Sequence, residues 1–301
     1  LLEQNSGQNR QYINTHLKGN GLTMAILKPL ISGSICTVLL AAASFLASNN
    51  AVADFRSDML KAADPKASGE YVRARFLKQM KKPFDASDTR PKAILIGDSH
   101  AQDFYNSILE SGSMSGYQIS TRYIPTVCQM YLGSENITGL RDSRHASICA
   151  KSDTLEQAKA QIAEADVVIL TSNWKEWSAK RLPESIKNLQ LKPEQKLVVI
   201  GRKSYGKLNI RKYARMPEAQ LKALRNEVDG PQLAINNMMK ASIPANVFVD
   251  QHQLVCNGAG DCPVFTNNMG LITFDGGHFT AAGAKYVGNI LFNTPQLKPF
   301  K

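Results

Sequence analysis

The chain has 301 residues, 43% of them hydrophobic and 20% charged, with 36 Lys and Arg against 25 Asp and Glu for a formal net charge of +11. That balance excludes a disordered or fibrous chain and allows a sizeable core, in one large domain or two small ones. The basic excess fits an anionic glycan, a membrane surface or a plain solvated face. Nucleic acid is set aside, because the Lys and Arg are scattered and no helix-turn-helix, zinc-finger or RNA-binding signature accompanies them.

Residues 1–23 show no apolar periodicity and read as an upstream extension. From Met24 the order changes: a single Lys28, an apolar run from Leu30 to Ala47, then Ala51-Val52-Ala53. Charge, apolar run and a small-residue site describe a signal peptide over 24–53, with an uncleaved N-terminal membrane anchor as the alternative. Either reading places residues 54–301 outside the cytoplasm, periplasmic or secreted. That part keeps 33 basic and 24 acidic residues and stays basic.

Residues 54–90 form a helical lead-in, broken near Pro65 and polar enough to lie on a surface. Residues 91–301 form the main domain. KAILIG (92–97) is a short apolar run ended by Gly, and AQDFYNSILESG (101–112) has helical spacing. YQISTRYI (117–124) alternates like a strand, and SDTLEQAKAQIAEA (152–165) is a helix capped by Ser152 or Asp153. DVVILTSNW (166–174) is a buried strand running into polar residues, PESIKNLQ is a short helix, and KLVVIG (196–201) is another buried strand. A helix-rich stretch over 217–242, the strand NVFVD (246–250) and the helix TAAGAKYVGNILF (280–292) complete the domain. Continuous apolar strands alternating with helices predict a parallel sheet of about five strands covered on both faces, a three-layer α/β/α sandwich of flavodoxin-like type. Ligands of such sheets bind outside the carboxyl ends of the strands, where GDSH and TSNW both lie.

Cys36 sits in the apolar leader; Cys128, Cys149, Cys256 and Cys262 remain. An even number in an oxidising compartment favours two disulfides. Of three possible pairings the local one, Cys128–Cys149 with Cys256–Cys262, closes a loop between predicted elements each time. No C-x-x-C and no suitably spaced His support zinc, so neither metal nor cofactor is expected.

Ser99 lies in a strand-to-helix turn, with its hydroxyl at the rim beside helical N–H groups that lack backbone partners and can stabilise an oxyanion. Alone, Asp98 or Ser99 would simply cap the helix. Asp275-Gly-Gly-His278 supplies what a serine nucleophile needs: a base, and an acid that fixes the base's tautomer. The competing reading makes that loop an ornate cap through Thr280, with His278 on the surface. Two such motifs at two strand-to-helix turns favour the chemical reading. Trp174 and Trp177 either stack on sugar rings or, for Trp174, pack in the core. Gly201-Arg-Lys-Ser-Tyr-Gly206-Lys207 has P-loop spacing but carries Leu208 where magnesium needs Ser or Thr, and is rejected as a nucleotide site.

G-D-S-H near the start and D-x-x-H near the end resemble the first and last blocks of the SGNH (GDSL-like) hydrolase superfamily. Closer still are the SGNH domains attached to, or working with, membrane acyltransferase-3 proteins that O-acylate cell-surface polysaccharides. The resemblance spans about residues 90–292 and implies Ser99 as nucleophile, His278 as base and Asp275 as its orienting acid. It also implies Asn173 as an oxyanion-hole side chain, with an ordinary strand-end turn as the alternative. A Gly is expected after the second strand, but Ile124-Pro125-Thr126-Val127-Cys128 has none, so a backbone donor there falls to a residue such as Val127. His100 is expected to shape the pocket. The implied activity is acyl transfer through a Ser acyl-enzyme to a polysaccharide such as lipopolysaccharide O-antigen, with a separate membrane acyltransferase-3 chain supplying the acyl group. A secreted carbohydrate or small-ester esterase is the alternative, and a non-catalytic glycan-binding protein on the same fold is the reading from another class.

Overall fold

Aliphatic runs that expose neither face to water can only be satisfied inside a covered sheet, and this arrangement is found in the computed structural model, which describes residues 55–228, 230–256 and 260–301. The leader read from residues 24–53, and the extension before it, lie outside the described residues. Strands β1 (Lys92–Gly97), β2 (Gln118–Tyr123), β3 (Val167–Thr171), β4 (Lys196–Ile200) and β6 (Phe248–Val249) form one parallel sheet in the order β2-β1-β3-β4-β6. Two short strands, β5 (Arg225–Glu227) and β7 (Asp261–Pro263), pair antiparallel in a second sheet. Alternate side chains of β1 and β3 serve opposite layers. Ala93, Leu95, Val167 and Ile169 face Phe104, Ile108, Val287 and Leu291, from helices α2 (Ser99–Ser111) and α6 (Ala281–Leu291). Ile94, Ile96, Val168 and Leu170 face α3 (Leu155–Glu164), α4 (Leu182–Leu189) and α5 (Gly230–Ser242). Each of the fully buried Val, Leu and Ile side chains among them contributes about 1.5–3 kcal/mol. The result is the expected three-layer α/β/α sandwich.

Several boundaries differ from the sequence expectation. Helix α2 starts at Ser99 rather than 101, because Asp98 is the N-cap and accepts from the His100 N–H at 2.9 Å. Thr154, not Ser152 or Asp153, caps α3; Asp153 is instead paired with Arg122 at 3.0 Å. Strand β5 interrupts the stretch read as helix-rich, and its partner β7 is too short and polar to show periodicity. The lead-in helix α1 (Pro65–Lys78), capped by Asp64, is not a loosely laid surface element. Phe76 is fully buried, Arg75 pairs with Glu110 at 2.7 Å, and the Asn106 amide donates to the Tyr71 and Val72 carbonyls. Cys128 is bonded to Cys149 and Cys256 to Cys262. Among the described residues no helix is long and apolar enough to cross a membrane.

The strand order reverses direction between β1 and β3, which opens a crevice at their carboxyl ends. Gly97 closes β1 there. A Cβ at that position would lie 1.7 Å from the Thr171 carbonyl oxygen, so only glycine lets the two strand ends approach.

Candidate active site

The turn after β1 is organised by Asp98, whose carboxylate is wholly buried. It accepts from the His100 N–H (2.9 Å), the Thr126 hydroxyl (2.7 Å), the Ser172 hydroxyl (2.7 Å) and the Asn173 N–H (2.9 Å). One side chain thus ties together the ends of β1 and β3 and the loop after β2. The Ala101 and Gln102 N–H groups go to the Asp98 carbonyl. Of the N–H groups opening α2, that of Ser99 is left as the donor for a developing oxyanion. The sequence suggests several such donors, but the cap occupies those of His100, Ala101 and Gln102.

The loop between Phe274 and Phe279 brings the second half. The His278 Nε2 lies 2.8 Å from the Ser99 Oγ, and its Nδ1 lies 2.7 Å from Asp275 Oδ2. The other oxygen of Asp275 accepts from the Gly277 and His278 N–H groups, both at 2.8 Å. Burial pushes the Asp275 carboxyl up, but the His278 hydrogen bond and charge, with the two backbone donors, outweigh it and hold the pKa at about 2. An ionised Asp275 fixes the proton on Nδ1 and leaves Nε2 to accept from the serine hydroxyl. Phe274 stacks on the imidazole with ring centres 5.8 Å apart and sets its plane. Gly276 allows the curl: its φ is +88°, and a Cβ there would lie 2.0 Å from the Gly206 carbonyl oxygen. Ser99, His278 and Asp275 therefore form a continuous hydrogen-bonded chain at the rim of the sheet, with geometry suited to deprotonating a serine.

Two clefts meet at this chain. One, of about 860 Å³, is lined by His100, Asn173, Arg202, Lys207, Arg225 and His278 among others. The other, of about 410 Å³, holds Ser99 against α1. Asn173 thus reaches the first cleft; its backbone is spent on Asp98 and Gln129, while its side-chain Oδ1 is buried without a partner. His100 lines the same cleft, 6.3 Å from the His278 ring. Burial first, and then the positive charges of Lys203 and Arg202, hold its pKa well below the ordinary value, so it is neutral. Val127 lines neither cleft. Its side chain packs on the apolar layer with Ile124 and Cys128, and the loop acts on the site through Thr126 instead. Trp174 takes the core reading, and its candidacy as a substrate-binding residue is corrected: it is fully buried, its Nε1 donates to the Ile200 carbonyl at 2.9 Å, and no face is left for a sugar. Trp177 is partly exposed.

The segment set aside as a false P-loop turns out to matter. Lys203 is fully buried, 2.6 Å from the equally buried Asp103, and also donates to the Gly277 carbonyl. Asp103 accepts from the Phe279 N–H at 3.1 Å, and the Tyr205 N–H donates to the Gly276 carbonyl at 2.7 Å. Both sides of the Asp275–His278 loop are therefore fastened to the end of β4 and to α2. Its place at the carboxyl end of a strand is the signal in the sequence that marks it, and the P-loop spacing is incidental. His252, Cys256 and Cys262 also cluster, their ligand atoms within 4.8 Å, but the two sulfurs are joined in a disulfide and offer no thiolate pair.

Comparison with known proteins agrees with this architecture. Nothing among the curated proteins matches. Among solved structures, the periplasmic domain of a lipopolysaccharide acetyltransferase from Salmonella ser. Paratyphi A superposes with a TM-score of 0.52 at 15% identity, covering 79% of this chain and 98% of that one. The family model of the SGNH domain (fused to AT3 domains) matches residues 62–292, from the lead-in helix through α6, and the chain belongs to that family.

Proposed function

We propose that this protein is an exported serine-dependent acyltransferase that places an acyl group on a hydroxyl of a cell-surface polysaccharide. The observation that carries the reading is the Ser99–His278–Asp275 chain, with contacts of 2.8 and 2.7 Å. His278 Nε2 takes the Ser99 proton as Oγ bonds to the carbonyl carbon of the donor, and the carbonyl electron pair moves onto oxygen. On this reading the Ser99 N–H and the Asn173 side-chain amide receive that charge. Collapse expels the donor's leaving group, which takes the proton from Nε2, and an acyl-Ser99 ester remains. An acceptor hydroxyl then gives its proton to Nε2, attacks the ester and departs acylated, while Ser99 regains the proton. Water in place of the sugar would make the same machinery an esterase.

Transfer is favoured by family membership among domains fused to AT3 domains, and by likeness to the periplasmic domain of a lipopolysaccharide acetyltransferase. The roomy basic cleft beside His278, with Arg202 and Lys207 in its wall, suits a polyhydroxylated or anionic acceptor. The acyl donor comes from a membrane AT3 protein. A fluorophosphonate probe tests the nucleophile: wild-type protein labels and Ser99→Ala does not. Equal labelling of both removes the acyl-enzyme. Surface-glycan acylation then separates the activities, since loss of the gene lowers it for a transferase and leaves it unchanged for an esterase.

A further inference from the structure

An acyl-enzyme on Ser99 has to put its alkyl end somewhere, and the two clefts that meet at Asp275 and His278 differ in chemistry. His278 Nε2 must face the oxygen that leaves or attacks, and Asn173, on the oxyanion side, lies in the same basic cleft. The remaining substituent of the tetrahedral carbon then points the other way, into the cleft of about 410 Å³ that holds Ser99. Its walls are Pro65, Gly69, Val72 and Leu77 of α1, Tyr123 at the end of β2, and Phe274, with Arg73, Gln102 and Asp275 as its polar members. Carbon dominates the surface of this cleft, whereas polar atoms dominate the basic one, so an alkyl chain gains more from burial here than there. The wall is also rigid, since α1 is fixed to α2 by the Asn106 and Glu110 contacts.

We infer that this slot binds the alkyl part of the transferred acyl group and accepts chains longer than acetyl, with the lead-in helix as its specificity wall. The inference rests on the acyl-enzyme reading above. Gly69 is the natural point of control: it lines the slot, and a Cβ there meets nothing nearer than the Arg73 guanidinium at 3.9 Å, so the backbone leaves room for a side chain to start. Glycine is also the poorer helix former, so Gly69→Phe does not weaken α1.

The test uses the full chain and p-nitrophenyl acetate, butyrate and hexanoate, reading the burst of p-nitrophenolate that accompanies acylation. For the wild type, the acylation rate constant over KM should rise roughly fourfold for each methylene the slot buries. Gly69→Phe should flatten or invert that series. Leu77→Asn, at a position 39% exposed and tolerant of change, should blunt it without filling the slot. A wild-type series that is flat or falls from acetate, or an unaltered series in both variants, overturns the slot while leaving the acyl-enzyme standing. No burst with any ester, together with no fluorophosphonate labelling of Ser99, overturns the acyl-enzyme reading and the slot with it.

Discussion

The two halves of the site are held in opposite ways. The Gly97–His100 turn is built into the sheet: Asp98 is buried, and its carboxylate draws together strand ends and loops that are adjacent only in the folded state. The Asp275–His278 loop lies outside the sheet and is half in solvent, with Asp275 side-chain exposure at 43%. Its position depends on backbone carbonyls, those of Gly276 and Gly277, held by the segment after β4. Stability and alignment are therefore separable: damage to the first half should unfold the rim, and damage to the second should misplace the base.

The largest effect should come from Asp98→Asn. The amide keeps the shape but turns one acceptor into a donor facing donors, and at least two charge-assisted bonds are lost. The expected cost is on the order of 4 kcal/mol, a fall of roughly 10 °C in the unfolding midpoint. A midpoint within a degree or two of wild type would show that Asp98 is not the tie it is taken to be.

Next comes Lys203→Met, which strands a buried Asp103 and costs about 3 kcal/mol. Adding Asp103→Asn removes the stranded charge and should restore much of that stability. Reactivity is expected to behave differently. With the Gly277 carbonyl unheld, Ser99 labelling should stay about 100-fold slower in the double variant, the scale of an ångström-sized misplacement. Recovery of labelling along with stability would make Lys203 purely structural.

The smallest effect belongs to His100. Its folded pKa is depressed, so below about pH 6.5 the unfolded chain binds a proton that the folded chain refuses, and stability falls as pH drops. The slope contributed is at most about 1.4 kcal/mol per pH unit. His100→Phe should remove that component from unfolding curves measured between pH 7 and 5. An identical pH dependence in the variant would place a proton on His100 in the folded state.

The contrast between the halves also explains what could be read from the sequence. The aliphatic runs 92–97, 167–171 and 196–200 announce a covered parallel sheet, because apolar residues without alternation fit little else. Ser99, Asp275 and His278 stand out because glycines and strand ends surround them. Lys203 and Asp103 do not stand out: a buried ion pair joins residues 100 positions apart and has no local pattern. Trp174 was ambiguous for the same reason, since only the Ile200 carbonyl across the sheet decides its place. The slot against α1 was hidden as well. Nothing in residues 65–78 says which face will meet the end of β1.

The hydrogen bond from Ser99 to His278 joins residues 179 positions apart. A chain still missing its last thirty or so residues would carry a serine no more nucleophilic than any surface hydroxyl. On the acyl-enzyme reading proposed above, Ser99 gains its base only when α6 has docked and drawn its preceding loop into place. Probe labelling of Ser99 would thus serve as a readout of completed folding, and a half-made or clipped molecule would be harmless to the esters around it.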